Sequence, residues 1–177
     1  MLTVFQGRNF FNSDFIIVRH FTTRNLNLIP IMAQRLEYLK SMWKMAQNTN
    51  NFAQCLKNVE ILSIGDGKCK AQFTVLKEHT NIYGGLNGGF TSTVIDTLSV
   101  YALMTAKSGN IQPGLSVDLH IMFLNSAIPG ETVTVDARTI QHGKTMNFVA
   151  VELTKNNGKD IIARGQHTVF VKPPKTE

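Results

Sequence analysis

The sequence predicts an α+β domain in which an antiparallel sheet wraps around one long apolar helix. Three observations carry this reading. Residues 89–106 make a run of about five helical turns with apolar groups on nearly every side and one acid, Asp96. Residues 115–171 alternate apolar and polar side chains with a period of two, broken by short turns. Residues 59–76 read as a hairpin about Gly65-Asp66-Gly67. One buried helix and about five or six strands have one economical arrangement, with the sheet curled about the helix.

The elements follow in order. Residues 1–31 set Arg8, Arg19 and Arg24 against a single acid, Asp14, a composition that resembles a mitochondrial presequence. An extension without consequence, or a true start at Met32, would read the same way. Mitochondrial residence is the expectation and a cytoplasmic one the alternative, with a domain over residues 32–172 and a tail over 173–177. In residues 33–47, Leu36, Leu39, Met42, Trp43 and Met45 recur at helical spacing, so an N-terminal amphipathic helix is expected, ended by the Asn-rich residues 48–51. A short apolar segment around Phe52 and Leu56 leads to the hairpin. Paired glycines precede the long helix. After Pro113, Leu115, Val117, Leu119, Ile121 and Phe123 share one face, and Ser116, Asp118, His120 and Met122 the other, which predicts a half-buried strand. Residues 132–140, 145–154 and 161–171 complete a meander, turning at His142-Gly143-Lys144 and Asn156-Asn157-Gly158. The edge of such a sheet invites pairing with a second copy.

Composition narrows the function classes. A chain of 177 residues, 43% hydrophobic and 17% charged, suits one folded domain. Its net charge of +6 is scattered, which gives no nucleic-acid stripe. Cys55 and Cys69 form neither a disulfide framework nor a zinc spacing, and His20, His79, His120, His142 and His167 show no metal spacing, so no metal is expected. No apolar run approaches the roughly 18 residues of a membrane-spanning helix. There is no G-x-S-x-G elbow and no visible Ser/His/Asp triad, so covalent serine hydrolysis is not expected.

Two features suggest chemistry. Glycine-rich residues 81–90 open the apolar helix, where free N–H groups suit an oxygen gaining negative charge; a turn that merely packs is the alternative. Asp96 stands alone on that helix, and an acid there is costly to bury unless paired or used. It reads equally as a carboxylate hydrogen-bonded to a hydroxyl such as Ser92.

Taken together, His79-Thr80-Asn81 through Gly88-Gly89, Asp96, residues 113–119, Gly143-Lys144-Thr145 and Gly165-Gln166-His167-Thr168 resemble the hotdog-fold acyl-coenzyme A thioesterases, over about residues 33–171. The resemblance implies a hotdog fold, hydrolysis of a fatty acyl-coenzyme A without a cofactor, and a homodimer or homotetramer. It implies that the Gly88 N–H meets the thioester carbonyl with Asn81 assisting, that Asp96 acts as general base, and that Ser116 orients the water. It implies coenzyme A contacts from Phe123, Asn125, Ser126, Gln141, His142, Gly143, Lys144 and Thr145, with Lys144 toward a phosphate. One position departs: the family usually has His before the paired glycines, and this chain has Asn87, which can donate a hydrogen bond but cannot titrate. A binding module without catalysis is therefore the competing reading. A hydratase would need a different catalytic pairing, which the sequence lacks.

Overall fold

At the first hairpin Asp66 and Gly67 both adopt positive φ, 49° and 74°, the backbone that a two-residue turn between twisted strands requires. It joins β1 (Glu60–Gly65) to β2 (Lys68–Thr74). The computed structural model describes residues 28–106 and 114–173, with side chains from residue 33 onward. Residues 1–27 of the basic leader, Pro113 and residues 174–177 of the tail lie outside the described residues.

Helix α1 (Leu28–Asn48) starts five residues before the sequence pattern suggested. Pro30 falls in its first turn, where the missing N–H has no intrahelical partner to lose. Buried Leu39 and Trp43 anchor α1, and Trp43 meets Tyr101 edge-on at 5.3 Å. The Gln47 side chain donates to the Val59 and Lys57 carbonyls at 2.9 and 3.2 Å, which straps α1 to the start of β1. The segment around Phe52 and Leu56 is a short 3₁₀ helix capped by Asn51.

Strands β3 (Leu115–Phe123), β4 (Thr132–His142), β5 (Met146–Lys155) and β6 (Asp160–Phe170) complete a six-stranded sheet in the order β1-β2-β4-β5-β6-β3. Every neighbouring pair is antiparallel. Alternate residues of β2, β4, β5 and β6, among them Phe73, Val135, Leu153 and Val169, are buried in one core with Val94, Ile95 and Leu98 of α2 (Gly88–Met104). Gly165 permits this close approach, since a Cβ there would sit 2.7 Å from Ile95 Cγ2.

Two expectations require correction. Helix α2 is not covered all round: Ser92, Thr93, Asp96, Thr97 and Val100 form a half-buried face at helical spacing. All six strands touch α2, so the sheet wraps the helix as expected, but it leaves this face half-buried. Strand β3 is not half-buried either. It is the free edge beyond β6, with Leu115 71%, Val117 56% and Phe123 57% exposed.

A bulge between Ser116 and Asp118 also breaks the period of two in β3. Ser116 pairs with buried Val169, Leu119 with buried His167 and Ile121 with Gly165, so these three face the helix. Leu115, Asp118, His120 and Met122 face away. The extra residue, Val117, moves Ser116 to the face opposite the one that strict alternation predicts.

Candidate active site

The loop before α2 is organised by its own short polar groups. Asn81 Oδ1 accepts from the Tyr83 and Gly85 N–H groups at 2.9 and 3.3 Å, and the Asn81 N–H donates to the Gly85 carbonyl at 2.8 Å. Its amide nitrogen takes no acceptor among the described residues. Gly85 passes directly against the Ser126 hydroxyl, where a side chain has no room. The Leu86 N–H donates to Ala127 O at 2.7 Å and the Asn87 N–H to His79 O at 2.8 Å, tying the loop to two neighbouring segments. His79 is itself buried and stacks on Phe90 at 4.2 Å.

Asn87 is the N-cap of α2. Its Oδ1 accepts from the Gly89 N–H at 2.7 Å and the Phe90 N–H at 3.3 Å, two of the four donors that a helix start leaves unpaired. The Gly88 N–H has no acceptor among the described residues. The Phe123 ring packs beside this residue, 3.4 Å from where a Gly88 Cβ would be. Asn87 thus has a structural role that the sequence reading, which gave it a donor's part, did not anticipate.

Asp96 sits two turns further along, on the open face of α2. Its side chain is 43% exposed, so the expected burial cost does not arise within one chain. The expected Ser92 contact is absent, because Ser92 donates to Gly88 O at 2.8 Å. The hydroxyl that reaches Asp96 is that of Ser116, which donates to Oδ1 at 2.7 Å. His167 Nε2 lies 3.4 Å from the same oxygen, and His167 Nδ1 is 2.6 Å from Ser99 Oγ. Burial pushes the His167 imidazole below its ordinary value of 6.5, against the upward pull of the Asp96 and Asp118 carboxylates. Beside Asp96 a shallow cleft of about 310 Å³ is lined by Phe52, Leu56, Thr97 and Leu119.

The structure groups the predicted residues by end. Asn81, Asn87, Gly88, Phe123 and Ser126 meet at the start of α2. Asn125 lies in the same segment and donates to Ile161 O at 2.7 Å. Asp96 and Ser116 meet at the middle of the helix. Gln141, His142, Gly143, Lys144 and Thr145 are elsewhere. Phe123 and Leu153 both lie opposite Ala163, whereas His142 lies opposite Asn147, six residues away on β5 and therefore about 20 Å from the Phe123 end. One chain does not bring the two sets of predicted coenzyme A contacts together. The sequence reading gives His167 no role at this site; the signal available is a titratable side chain at a core-facing position of β6, between Gly165 and Val169.

The family description "Thioesterase superfamily" matches residues 83–162. Human acyl-coenzyme A thioesterase 13 is 34% identical over 77% of this chain and 96% of its own length. Among solved structures, zebrafish thioesterase superfamily member 2 superposes with a TM-score of 0.72 at 34% identity, over 77% of this chain and 98% of that one. The PaaI protein of the Escherichia coli phenylacetic acid degradation operon, 20% identical, shares the fold with a TM-score of 0.64, over 80% of this chain and 95% of that one.

Proposed function

The chain belongs to the thioesterase superfamily, and from that premise we propose that it is a hydrolase that cleaves fatty acyl-coenzyme A to a fatty acid and free coenzyme A. The observation that carries this reading is a carboxylate held by a serine hydroxyl on an open helix face, on the same helix as an uncommitted N–H. Asp96 takes a proton from water, and the water oxygen adds to the thioester carbon. The Gly88 N–H, assisted by the Asn81 amide, receives the negative charge that develops on the carbonyl oxygen. Collapse of the tetrahedral intermediate breaks the C–S bond, and the sulfur recovers the proton. Water and substrate suffice for this chemistry.

The two halves of this machinery must come from two subunits. Gly88 and Asp96 are eight residues apart on α2, about 12 Å along its axis. A donor near 3 Å from the oxygen and a base in reach of the water do not fit one carbon at that separation. The exposed β3 edge supplies the solution. Antiparallel pairing of two β3 strands, centred on His120 and with Val117 bulged out, sets Ser116 opposite Phe123 of the partner subunit. Since Phe123 packs beside Gly88, one copy's Asp96 then faces the other's Gly88. The same pairing carries residues 141–146 of one copy toward residues 123–128 of the other, so both sets of coenzyme A contacts converge, with Lys144 as the cation of the turn. A homodimer is the smallest such assembly; the homotetramer is a pair of these dimers.

The deciding measurement is release of free thiol from an acyl-coenzyme A chain-length series by the purified protein. Turnover that Asp96→Asn abolishes supports the proposal. Tight binding with no thiol release would make the protein an acyl-coenzyme A binding module instead. Mitochondrial residence, supported by the acid-poor, Arg-containing leader, calls for a reporter fused after residue 31. Import only with the leader attached supports it, and cytosolic residence of the full-length fusion refutes it.

A further inference from the structure

His167 is a buried titratable group that the mechanism above leaves unused. Its ring is fully enclosed, and Nε2 has no hydrogen-bond partner among the described residues. An orphaned polar atom at that depth is costly. Asp96 Oδ1 lies 3.4 Å from it. Charged groups bearing on the ring are Asp96 from α2 and Asp118 from β3, while β5 presents Val149 opposite it.

The position of the ring proton follows from Ser99. That hydroxyl has one proton and two acceptors in reach, the Asp96 carbonyl at 2.7 Å and His167 Nδ1 at 2.6 Å. If the proton goes to the carbonyl, Nδ1 must carry the ring hydrogen, and a bare Nε2 then faces a carboxylate oxygen with no proton between them. If it goes to Nδ1, the ring hydrogen sits on Nε2 and points at Oδ1. The second arrangement gives Nδ1 a donor and turns the Nε2 hydrogen toward the carboxylate, and the Asp96 carbonyl keeps its ordinary helical acceptor role. A separation of 3.4 Å is long for such a bond, and catalytic hydrogen bonds of this kind tighten when substrate binds.

We propose that His167 is a positioning residue: its Nε2–H and the Ser116 hydroxyl together hold Oδ1 of Asp96, so that Oδ2 is the oxygen presented to the attacking water, and Ser99 sets the ring tautomer that makes this possible. The assignment rests on the thioesterase reading. Oδ2 has no partner among the described residues, as a general base requires. His167 neither gains nor loses a proton in the cycle. The water proton moves to Oδ2 and later to the departing sulfur, while the two donors keep the carboxylate from rotating.

Two measurements test it, one independent of activity. In the resting protein labelled with ¹⁵N-histidine, the His167 ring should show a protonated Nε2 and a bare Nδ1; the reverse tautomer overturns the proposal whether or not the protein hydrolyses thioesters. In the kinetic arm, His167→Leu should lower kcat about tenfold with KM unchanged. The acid limb of its pH profile should move to higher pH, because a donor that favours the ionised carboxylate is gone. His167→Gln, whose amide N–H reaches the Nε2 position, should recover both. Equal losses in the two variants with an unmoved limb would mean a packing role and overturn the assignment. Should His167→Leu fail to fold, Ser99→Ala carries the same test: it frees the tautomer, so the ring spectrum must change and the acid limb must shift, and no change in either refutes the role. Loss of activity in wild type and Asp96→Asn alike would count against the thioesterase reading and leave the tautomer result standing.

Discussion

The two ends of the α2 stretch proposed to carry the chemistry are built from different materials. At Gly88 the working group is a backbone N–H, made available because Asn87 takes the next two donors and hydrogen bonds within residues 79–87 hold the loop. At Asp96 the working group is a side chain, held by Ser116 from β3 and faced by His167 from β6. The first end is local and nearly indifferent to side chains, because most substitutions leave a backbone donor where it was. The second depends on three elements meeting across the sheet, and a single side-chain change removes its function. In the proposed dimer each end is completed by a second copy across the exposed β3 edge.

The sharpest way to break this contrast is to disable each end separately. Asp96→Asn should lower kcat by about 10²–10⁴-fold, the usual worth of a positioned general base. The Gly88 donor can be removed with Gly88→Pro. Proline suits the first helical position, Asn87 already has the extended backbone that a following proline requires at φ −70° and ψ 130°, and the added Cβ would make only ordinary contact with Phe123. The fold should persist while kcat falls by about 10²–10³-fold. Mixing the two inactive proteins then asks whether the ends meet between subunits. Random exchange makes about half the dimers mixed, each with one good site of two, so activity should return to about a quarter of wild type. A site built within one chain would recover nothing.

A smaller effect separates stability from chemistry at the Gly88 end. Asn87→Ala removes the cap and should cost about 1 kcal/mol, a fall of about 2–4 °C in Tm, measured by calorimetry. Asn87→His loses the same cap and keeps the Gly88 N–H, so turnover should stay within about tenfold of wild type. A larger loss would give Asn87 a role in the reaction itself.

The smallest expected effect is shared by both ends, because each rests on a buried histidine. Burial holds His79 and His167 below the ordinary 6.5. The unfolded chain therefore binds protons at these sites more readily than the folded one. Their contribution to stability is complete above about pH 6.5 and declines as pH falls from there toward the folded values. The urea midpoint should accordingly drop between about pH 7.5 and 5.5. Replacing both histidines with phenylalanine should flatten that dependence; a midpoint as steep as before would place the titrating groups elsewhere.

Much of this arrangement was legible in the sequence. Helical spacing around Leu39 and Trp43, the apolar run of α2, the glycine turns and the alternation in β4, β5 and β6 each reflect a local period that burial selects, so they identify α1, α2 and the meander directly. Asp96 stood out because one acid on such a helix is rare, and the Gly88 loop because its glycines are consecutive in the chain. What only the tertiary structure decided is which faces those periods present. A period of two assigns sides only while the register is unbroken, and the bulge at Val117 turns Ser116 toward Asp96 without any marker in the residues themselves. Nor does a local pattern reveal that His167, 68 residues from Ser99 along the chain, closes on the same carboxylate. Periodicity reports burial along one element, whereas a site of this kind is set by the register between elements, and that register is fixed only when the sheet closes around the helix.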